Sequence, residues 1–282
     1  MKDRIWIITA IAALLGLLAL LSIQREQQDM LNVKQIRTQL KPFIDAEHRS
    51  TENRARDRYR HPLATLTWLG VAADMTVVEI WPGGGWYSEI LAPYLRAQGK
   101  YYAAGFERDS DIPFYRINAQ KLQDKFAASP DIYDRATITE LRPLQRADIA
   151  PPGSADRVLT FRNVHNWMKA GYADAVFDAM YTALKPGGVL GVVEHRGDPG
   201  KPQDPQALSG YVTEAAVIEM AEAAGFEFVA SAEINANPAD TRDHPEGVWS
   251  LPPSLRQQEV DREKYLAIGE SDRMTLKFRK PE

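Results

Sequence analysis

The chain contains no cysteine among its 282 residues. It therefore has no disulfide framework, no thiolate nucleophile and no zinc site built from cysteine ligands. A cysteine-free chain fits an oxidising or a reducing compartment equally well, so this absence does not locate the protein.

The chain also lacks an excess of positive charge. Lysine and arginine number 34 against 38 aspartate and glutamate residues, and the formal net charge is -4. A general nucleic-acid-binding protein is expected to be basic, so we expect no nucleic-acid partner. The sequence shows no internal repeat and no low-complexity tract, and its length suits one large α/β domain with appendages or two small domains.

An apolar run lies at the N-terminus. Lys2 and Arg4 precede an uncharged stretch from Ile5 to Ile23, which as a helix spans about 30 Å, the thickness of a bilayer core. Because the run lacks an A-x-A cleavage pattern, residues 1–23 are predicted to be a single-pass membrane anchor. The alternative is a cleaved signal segment that leaves a periplasmic protein. Basic residues flank the run on both sides, so its orientation stays open.

The segment over residues 24–60 is strongly polar and is predicted to be a helical linker. Its stretch STENRARDRYR carries arginines at alternate positions, Arg54, Arg56, Arg58 and Arg60. They either belong to a solvated helix between membrane and domain, or they face anionic lipid or fold back over a binding site. Pro62 is predicted to end this helix.

Residues 61–282 alternate short apolar runs with amphipathic segments. Seven runs predict β-strands: MTVVEI, KYYAAGF, ATITEL, DRVLTF, VLGVVEH, FEFVASAEI and RMTLKFR. Helices are predicted over WYSEILAPYLRAQ, where Pro93 suggests a kink or an early end, over YADAVFDAMYTALK and over TEAAVIEMAEAAGF. Strands separated by helices imply a parallel sheet with helices on both faces.

The stretch VVEIWPGGGWYSEI places an acid and three glycines at the end of the first predicted strand. Such sheets bind ligands outside the carboxyl ends of their strands, and Gly83, Gly84 and Gly85 let the backbone approach a ligand. The dinucleotide fingerprint is matched only in part, and no G-K-[ST] follows as in a P-loop. The carboxylate of Glu79 suits a positively charged ligand better than a pyrophosphate, which prefers a helix N-terminus.

Three stretches, VVEIWPGGGWYSEIL, PPGSADRVLTFRNVHNW and LKPGGVLGVVEH, resemble class I S-adenosylmethionine-dependent methyltransferases. The chain resembles in particular a bacterial group of predicted methyltransferases whose substrate is poorly defined. This resemblance covers residues 61–282. It implies an α/β, Rossmann-like, doubly wound and mostly parallel seven-stranded sheet with an antiparallel last strand. It also implies S-adenosyl-L-methionine as the cofactor, and methyl transfer to an acceptor that we expect to be a small molecule.

The resemblance assigns the cofactor-binding residues. The motif E/D-x-G-x-G-x-G falls on Glu79, Trp81, Gly83 and Gly85, with Trp81 in place of the first glycine. This tryptophan is either a core residue or a wall for the cofactor or substrate.

The family usually carries an acid after the second strand to hold the ribose hydroxyls, and the direct counterpart here is Gly105. Glu107, two residues later, is predicted to take that role if a bulge brings it into place. Glu140, at the end of the third strand, is a weaker candidate for the adenine side.

Catalytic candidates lie in FRNVHNW, after the fourth strand. His165 is predicted to act as a general base, unless it only caps a helix, and Asn166 to orient a polar substrate. The N-P-P-[YFW] pattern of enzymes that methylate nucleic-acid amines is absent. Glu194 and His195 form a second possible acid/base pair. No metal site is predicted, because His165, His195 and His244 lack metal-ligand spacing.

The long connection over residues 236–272 is predicted to be a lid-like insertion over the active edge. Its candidate substrate-facing residues are Asp240, Arg242, Asp243, His244 and Trp249. The alternative is a plain surface excursion. Two other functions also stay open: an NAD(P)-linked oxidoreductase, and a non-catalytic ligand-binding domain that has kept the sheet. The sequence does not predict the oligomeric state.

Overall fold

The computed structural model describes residue 24, residues 27–28, residues 30–145 and residues 147–282. The predicted membrane anchor or signal segment, residues 1–23, lies outside this part of the chain. Among the described residues, no helix combines the length and the apolar character needed to cross a membrane.

In the part of the chain that the structure describes, four helices precede the sheet. They are α1 (residues 30–44), α2 (Thr51–Ala55), α3 (Asp57–Arg60) and α4 (Pro62–Trp68). Ser50 caps α2 by accepting a hydrogen bond from the backbone N–H of Asn53. Between α3 and α4, His61 adopts a left-handed φ of 40° and Pro62 opens the next helix. The prediction that Pro62 ends the preceding helix is confirmed.

Seven strands of the described residues form one sheet. They are β1 (Thr76–Ile80), β2 (Lys100–Gly105), β3 (Ala136–Glu140), β4 (Ala155–Phe161), β5 (Leu184–His195), β6 (Glu227–Ala232) and β7 (Arg273–Arg279). Each contains or overlaps one of the predicted runs. Strand β5 begins earlier than predicted, because Leu184 pairs with Ala155 of β4, and the register between the two strands then shifts before Val189 pairs with Arg157.

The remaining helices connect and cover the strands. They are α5 (Ser88–Leu95), α6 (Pro113–Ala128), α7 (Pro130–Tyr133), α8 (Val164–Ala170), α9 (Ala173–Ala183), α10 (Glu214–Ala223) and α11 (Arg262–Ile268). Short 3₁₀ turns follow β6, over Glu233–Asn235 and Gly247–Ser250.

The strand order is β3-β2-β1-β4-β5-β7-β6. The first five strands in this order pair in parallel, whereas β7 is antiparallel to both β5 and β6. The prediction of a mostly parallel sheet with an antiparallel last strand is therefore confirmed. The chain moves from β1 outwards to β3 and then returns to place β4 on the other side of β1. The gap between the ends of β1 and β4 is thus the switch point at which such sheets bind ligands.

The core is divided between the two faces of the sheet. Side chains alternate along a strand, so Val78 and Ile80 of β1 enter one buried cluster with α8 and α9, while Val77 enters the other with α4 and α5. Leu40 and Ile44 of α1 belong to this second cluster. The N-terminal helix therefore covers the face of the sheet to which Glu79 also points.

Helix α5 runs through Pro93 without ending there, contrary to one of the two predicted outcomes. A proline inside a helix removes one N–H and leaves the carbonyl four residues earlier without its partner. That carbonyl belongs to Glu89, and the His48 Nε2 donates a hydrogen bond to it at 2.7 Å. The segment before α2 thus satisfies a group that the proline leaves open.

Candidate functional site

A cavity of about 300 Å³ lies at the carboxyl edge of the sheet. It borders the loop after β1, the residue after β2 and the segment after β4, so it occupies the switch point. Five of the predicted site residues line it: Glu79, Trp81, Gly83, Gly84 and Asn166.

Glu79 provides a buried acidic end to β1. Its side chain accepts hydrogen bonds at Oε2 from the Tyr101 hydroxyl at 2.5 Å and from the Ser88 hydroxyl at 3.3 Å. Burial raises the pKa of Glu79 to about 7, and the hydrogen bonds from Tyr101 and Ser88 oppose this rise. A positively charged ligand favours the ionised form of a carboxyl group, so the cavity can respond to a cation near neutral pH.

The three glycines after β1 do not play the same part. A Cβ added to Gly83 or Gly84 would meet no atom within 4 Å, whereas one on Gly85 would meet Lys125 Cδ at 3.3 Å and Leu122 Cδ1 at 3.4 Å. Gly83 and Gly84 line the cavity and Gly85 faces α6 instead. The space that a ligand needs therefore lies at the first two glycines, and a direct contact of Gly85 with the cofactor stays a prediction.

Trp81 is both a core residue and a wall of the cavity. It is 4% exposed, and its ring lies 4.6 Å from Phe106 and 5.3 Å from Tyr115, centroid to centroid. Its φ of 45° is left-handed, a conformation that costs a residue with a side chain roughly 1–2 kcal/mol. Aromatic packing offsets this cost, which explains how a tryptophan can occupy a position where the family motif has glycine.

The predicted ribose acid lies outside the cavity lining. Glu107 Oε1 forms an ion pair with Arg142 Nη1 at 2.8 Å, and the pairing of β1 with β2 shows no bulge. Phe106 borders the cavity at this point instead. Glu140 pairs with Arg108 at 2.7 Å. The contact of Glu107 with ribose hydroxyls stays a prediction, and the geometry shown would have to change to make it.

His165 and Asn166 lie in the first turn of α8, but their side chains have different neighbours. Asn166 lines the cavity. His165 is 6% exposed and is not part of the cavity lining, and its Nδ1 donates to Glu194 Oε1 at 3.0 Å. With Nδ1 protonated, a neutral imidazole keeps its free electron pair on Nε2. The general-base role of His165 stays a prediction that requires an acceptor to reach this atom.

The buried residues Glu194 and His165 form one cluster with the half-buried His195. One potential metal-ligand atom from each of the three lies within 4.8 Å of the others. Glu194 already accepts hydrogen bonds from the backbone N–H of His195 at 2.7 Å and of Val164 at 2.6 Å, and burial together with His165 lowers the pKa of His195 well below its ordinary value. Glu194 therefore holds the start of α8 and orients the His165 ring. His244 lies elsewhere, bonded to Asp240 at 2.9 Å.

Three arginines, Arg56, Arg60 and Arg162, form a basic wall of the cavity. Arg56 Nε donates to Glu270 Oε1 at 2.5 Å, while Arg60 Nε and Arg162 Nη1 lie 3.5 Å and 3.9 Å from Glu270 Oε2. Arg273 also contacts this carboxylate. Burial alone raises the pKa of Glu270, but Arg273, Arg60 and Arg56 together hold it below its ordinary value.

Arg56 and Arg60 reach the cavity because the segment before α4 packs against the domain. Arg49 anchors that segment: its guanidinium donates to both carboxylate oxygens of Asp57, at 2.7 and 2.8 Å, and to the Ile44 carbonyl at 2.7 Å. Arg60 is only 4% exposed. The interpretation of this stretch as a solvated helix is therefore wrong for Arg60, and the alternative in which arginines fold back over a site is correct.

The insertion over residues 236–272 is buried only in part, and in the described part of the chain none of its five predicted residues lines the cavity. Asp240 is 2% exposed and accepts hydrogen bonds from the Tyr211 hydroxyl and from the Asp272 N–H. Trp249 packs beside His165, with ring centroids 5.9 Å apart. The residue of the insertion that contacts the arginines of the cavity is Glu270, which was not predicted from the sequence.

Two further lining residues, Arg162 and Asn163, follow β4 and were not predicted. Arg162 has a left-handed φ of 60°, and Asn163 Nδ2 donates to the Ile80 carbonyl at 2.9 Å, which ties the end of β1 to the end of β4. The only sequence signal for them is their place beside His165 in FRNVHNW.

The sequence matches no family model and no curated protein, whereas solved structures share its fold. A SAM-dependent methyltransferase from Aquifex aeolicus has a TM-score of 0.51 at 16% identity, covering 64% of this chain and 87% of that one. Phosphoethanolamine N-methyltransferase 2 from Haemonchus contortus, solved with S-adenosyl-L-methionine, has a TM-score of 0.52 at 16% identity, covering 79% and 53%.

A third solved structure, the [4+2]-cyclase SpnF, has a TM-score of 0.53 at 16% identity and covers 84% of this chain and 85% of that one. At such identities the likeness establishes the fold. The chain has the fold of class I S-adenosylmethionine-dependent methyltransferases, which confirms the resemblance seen in the sequence at that level. Because one similar structure is a cyclase, the fold alone does not define the reaction.

Proposed function

We propose that this protein is an S-adenosylmethionine-dependent methyltransferase that acts on a small-molecule acceptor. The observation that carries the proposal is the buried carboxyl group of Glu79 at the end of β1, beside the open glycines Gly83 and Gly84. Both features lie at the switch point of a sheet with the methyltransferase strand order.

The residues present fit the cofactor. It carries a sulfonium, an ammonium and one carboxylate, and Glu79 offers a carboxyl group whose ionised form a cation favours. Gly83 and Gly84 leave room for the backbone to approach a ligand. Trp81 and Phe106 supply an apolar aromatic wall on which a flat base can pack.

When bound, the cofactor supplies an electrophilic methyl group: the acceptor's nucleophile bonds to the methyl carbon while the carbon–sulfur bond breaks and its electron pair stays on sulfur. The chain contributes mainly alignment, which can account for a large part of the rate in such a displacement. Asn163 and Asn166 line the cavity and can hold a polar acceptor. His165, oriented by Glu194, is the proposed proton acceptor.

An NAD(P)-linked oxidoreductase is less well supported. The dinucleotide-binding sheet has the order 3-2-1-4-5-6, whereas here β7 is inserted antiparallel between β5 and β6.

Calorimetric titration of the full-length chain in detergent tests the proposal. We expect S-adenosylmethionine and S-adenosylhomocysteine to bind and NAD not to bind, with binding weakened in Glu79→Gln. Tight NAD binding would favour the oxidoreductase alternative. Binding of S-adenosylmethionine with no methyl transfer to any member of a broad acceptor panel would favour a non-catalytic domain.

A further inference from the structure

The basic wall and the adjoining Arg273 carry more positive charge than the nearby carboxyl groups of Glu270 and Glu79 balance. Arg56, Arg60, Arg162 and Arg273 share one carboxylate, that of Glu270. Like charges this close repel one another, and burial removes the water that would screen them. An anion is therefore expected to bind favourably in this cavity.

Two of these guanidinium groups also have unused donors. Arg56 donates to Glu270, but among the described residues the guanidinium groups of Arg60 and Arg162 donate no hydrogen bond. Their nearest carboxylate oxygen lies 3.5 Å and 3.9 Å away. Arg60 is 4% exposed, and its Nε is buried without a hydrogen-bond partner. Leaving such a donor unpaired costs free energy, so a ligand that accepts from it gains correspondingly.

The pKa shifts of Arg60 and Arg162 agree with this geometry. Burial, followed by the charge of Arg162, lowers the pKa of Arg60 well below its ordinary value. Burial, followed by the charge of Arg273, lowers the pKa of Arg162 to about 10. Each arginine is therefore held in surroundings that disfavour its charge, and an anion bound between them would reverse that effect.

We infer that the methyl acceptor carries a carboxylate or phosphate group, which Arg60 and Arg162 bind within the cavity. The inference rests on the proposed function, because it assigns the anion to the acceptor. The cofactor is itself a net cation, with two positive groups and one carboxylate. Its own carboxylate would leave the combined charge of cofactor and arginines positive, whereas an anionic acceptor lowers it.

The rest of the lining fits a compact organic anion. Phe161 and Tyr87 stack with ring centroids 3.6 Å apart and both line the cavity. The side-chain amides of Asn163 and Asn166 lie in the same lining. An acceptor with a small apolar or aromatic body and one anionic group could pack its body on the aromatic rings and place its anionic group at the arginines.

The first test is binding of inorganic phosphate to the full-length chain in detergent, by calorimetry at constant ionic strength. We expect Arg60→Gln and Arg162→Gln each to weaken binding about 10- to 100-fold, the range given by hydrogen bonds to charged groups. Arg58→Gln is the matched control, because Arg58 lies on the same helix but is exposed and contacts Tyr59. Equal effects of all three substitutions, or no effect of any, would overturn the inference.

Thermal unfolding separates binding from folding. Removing one of several repelling charges in Arg162→Gln is expected to leave the unfolding temperature unchanged or to raise it. Arg162→Lys, which keeps the charge, should restore part of the phosphate affinity. If Arg162→Gln loses phosphate binding only together with its fold, and Arg162→Lys restores neither, the arginine is structural and the inference fails.

A second arm asks whether the arginines instead hold the cofactor's own carboxylate. S-adenosylhomocysteine is compared with 5′-methylthioadenosine, which lacks the amino-acid part. We expect phosphate and S-adenosylhomocysteine to bind together, and phosphate to strengthen S-adenosylmethionine binding more, because only that ligand carries the sulfonium charge. Competition between phosphate and S-adenosylhomocysteine would assign the arginines to the cofactor and overturn the inference. So would an Arg162→Gln variant that weakens S-adenosylhomocysteine but spares 5′-methylthioadenosine.

The two proposals can fail separately. If neither adenosyl ligand binds while phosphate binding still depends on Arg60 and Arg162, the anion site stands and the methyltransferase proposal is overturned. If S-adenosylmethionine binds normally but phosphate does not bind the wild-type chain, the inference is overturned and the proposed function stands.

Discussion

Tyr101 on β2 donates a hydrogen bond to Glu79 on the neighbouring strand β1, with 2.5 Å between its hydroxyl oxygen and Oε2. This bond favours the ionised carboxylate in a place where burial favours the neutral acid. The balance between the two sets the charge that the cavity presents to a ligand near neutral pH.

Tyr101→Phe is expected to raise the pKa of Glu79 above its present value of about 7. Less carboxylate is then ionised at neutral pH, so S-adenosylmethionine should bind more weakly there, by up to about tenfold for a shift of one pKa unit. Calorimetry measures the affinity for S-adenosylmethionine as the pH is lowered from about 8 to about 6. The variant should lose affinity at a higher pH than the wild type, because its Glu79 is protonated earlier. Tyr102→Phe is the control, since Tyr102 packs on the opposite face; identical pH profiles for Tyr101→Phe and wild type would contradict the prediction.

Glu79→Gln should make the ligand-free protein more stable at high pH. The folded-state pKa of about 7 lies above the ordinary 4.5, so the folded protein binds more protons in that window and stability is lost as pH rises through it. The variant cannot ionise, and it should exceed the wild type by on the order of 3 kcal/mol above pH 7, with the difference shrinking towards pH 4.5. Urea unfolding from about pH 5 to pH 8 measures this. A difference that stays constant with pH, or one shared by the exposed control Glu52→Gln, would refute the assignment.

Gly84→Ala is expected to weaken ligand binding, whereas Gly85→Ala is expected to lower the stability of the fold. Gly84 lines the cavity and its φ is not left-handed, so the added methyl group enters ligand space and should weaken S-adenosylhomocysteine binding at least about tenfold. Gly85 has φ of 76° and faces α6, so its alanine variant should lose about 1–2 kcal/mol of stability with little loss of affinity. Calorimetry and urea unfolding on both variants distinguish these outcomes, and the reverse pattern would show that the loop is placed wrongly.

His165→Gln should leave cofactor affinity within about threefold of wild type and lower turnover by about 10²- to 10⁴-fold if the residue is the general base. Glu194→Gln should also lower turnover, because Glu194 orients the imidazole through Nδ1. Steady-state rates with an acceptor found by screening small organic acids give the measurement. Full turnover in a folded His165→Gln variant would leave the histidine with a packing role only.

The N-terminal membrane anchor stays a prediction, since residues 1–23 lie outside the described part of the chain. Intact-mass measurement on membrane-extracted protein should show the apolar run retained; a mature species lacking about two dozen residues would instead support the cleaved signal. Protease accessibility in spheroplasts then reports the side of the domain. Digestion from outside would weigh against the proposed function, because a charged cytosolic cofactor does not cross a bilayer unaided.

The strands could be predicted because each is a short apolar run bounded by turn residues, whereas the antiparallel last strand was implied by the resemblance to class I methyltransferases. The same reasoning placed Glu79, Gly83 and Gly84 at the cavity, because a sheet of this kind positions the end of β1 there whatever the surrounding sequence. For Trp81 the sequence left two interpretations, and the structure shows that one indole serves both.

The basic wall could not be predicted in the same way. Arg56 and Glu270 are 214 positions apart, and hydrophobic periodicity reports which face of an element is buried but not which distant segment meets it. Arg60 looked like part of a polar, solvated stretch because four alternating arginines dominate the local composition. Its burial depends on Arg49 anchoring the segment and on a counter-charge from the far end of the chain.

The contact between Arg56 and Glu270 also determines when the cavity is complete during synthesis. Domains begin to fold as the chain emerges from the N-terminal side, so the arginines of α2–α3 and the carboxyl end of β1 are made long before Glu270 and β7. Until that last stretch leaves the ribosome, the basic wall has no counter-charge and the sheet ends at β5 with β6 unpaired. A nascent chain halted before Glu270 would therefore present the arginines of the basic wall without the carboxylate that they share in the finished protein.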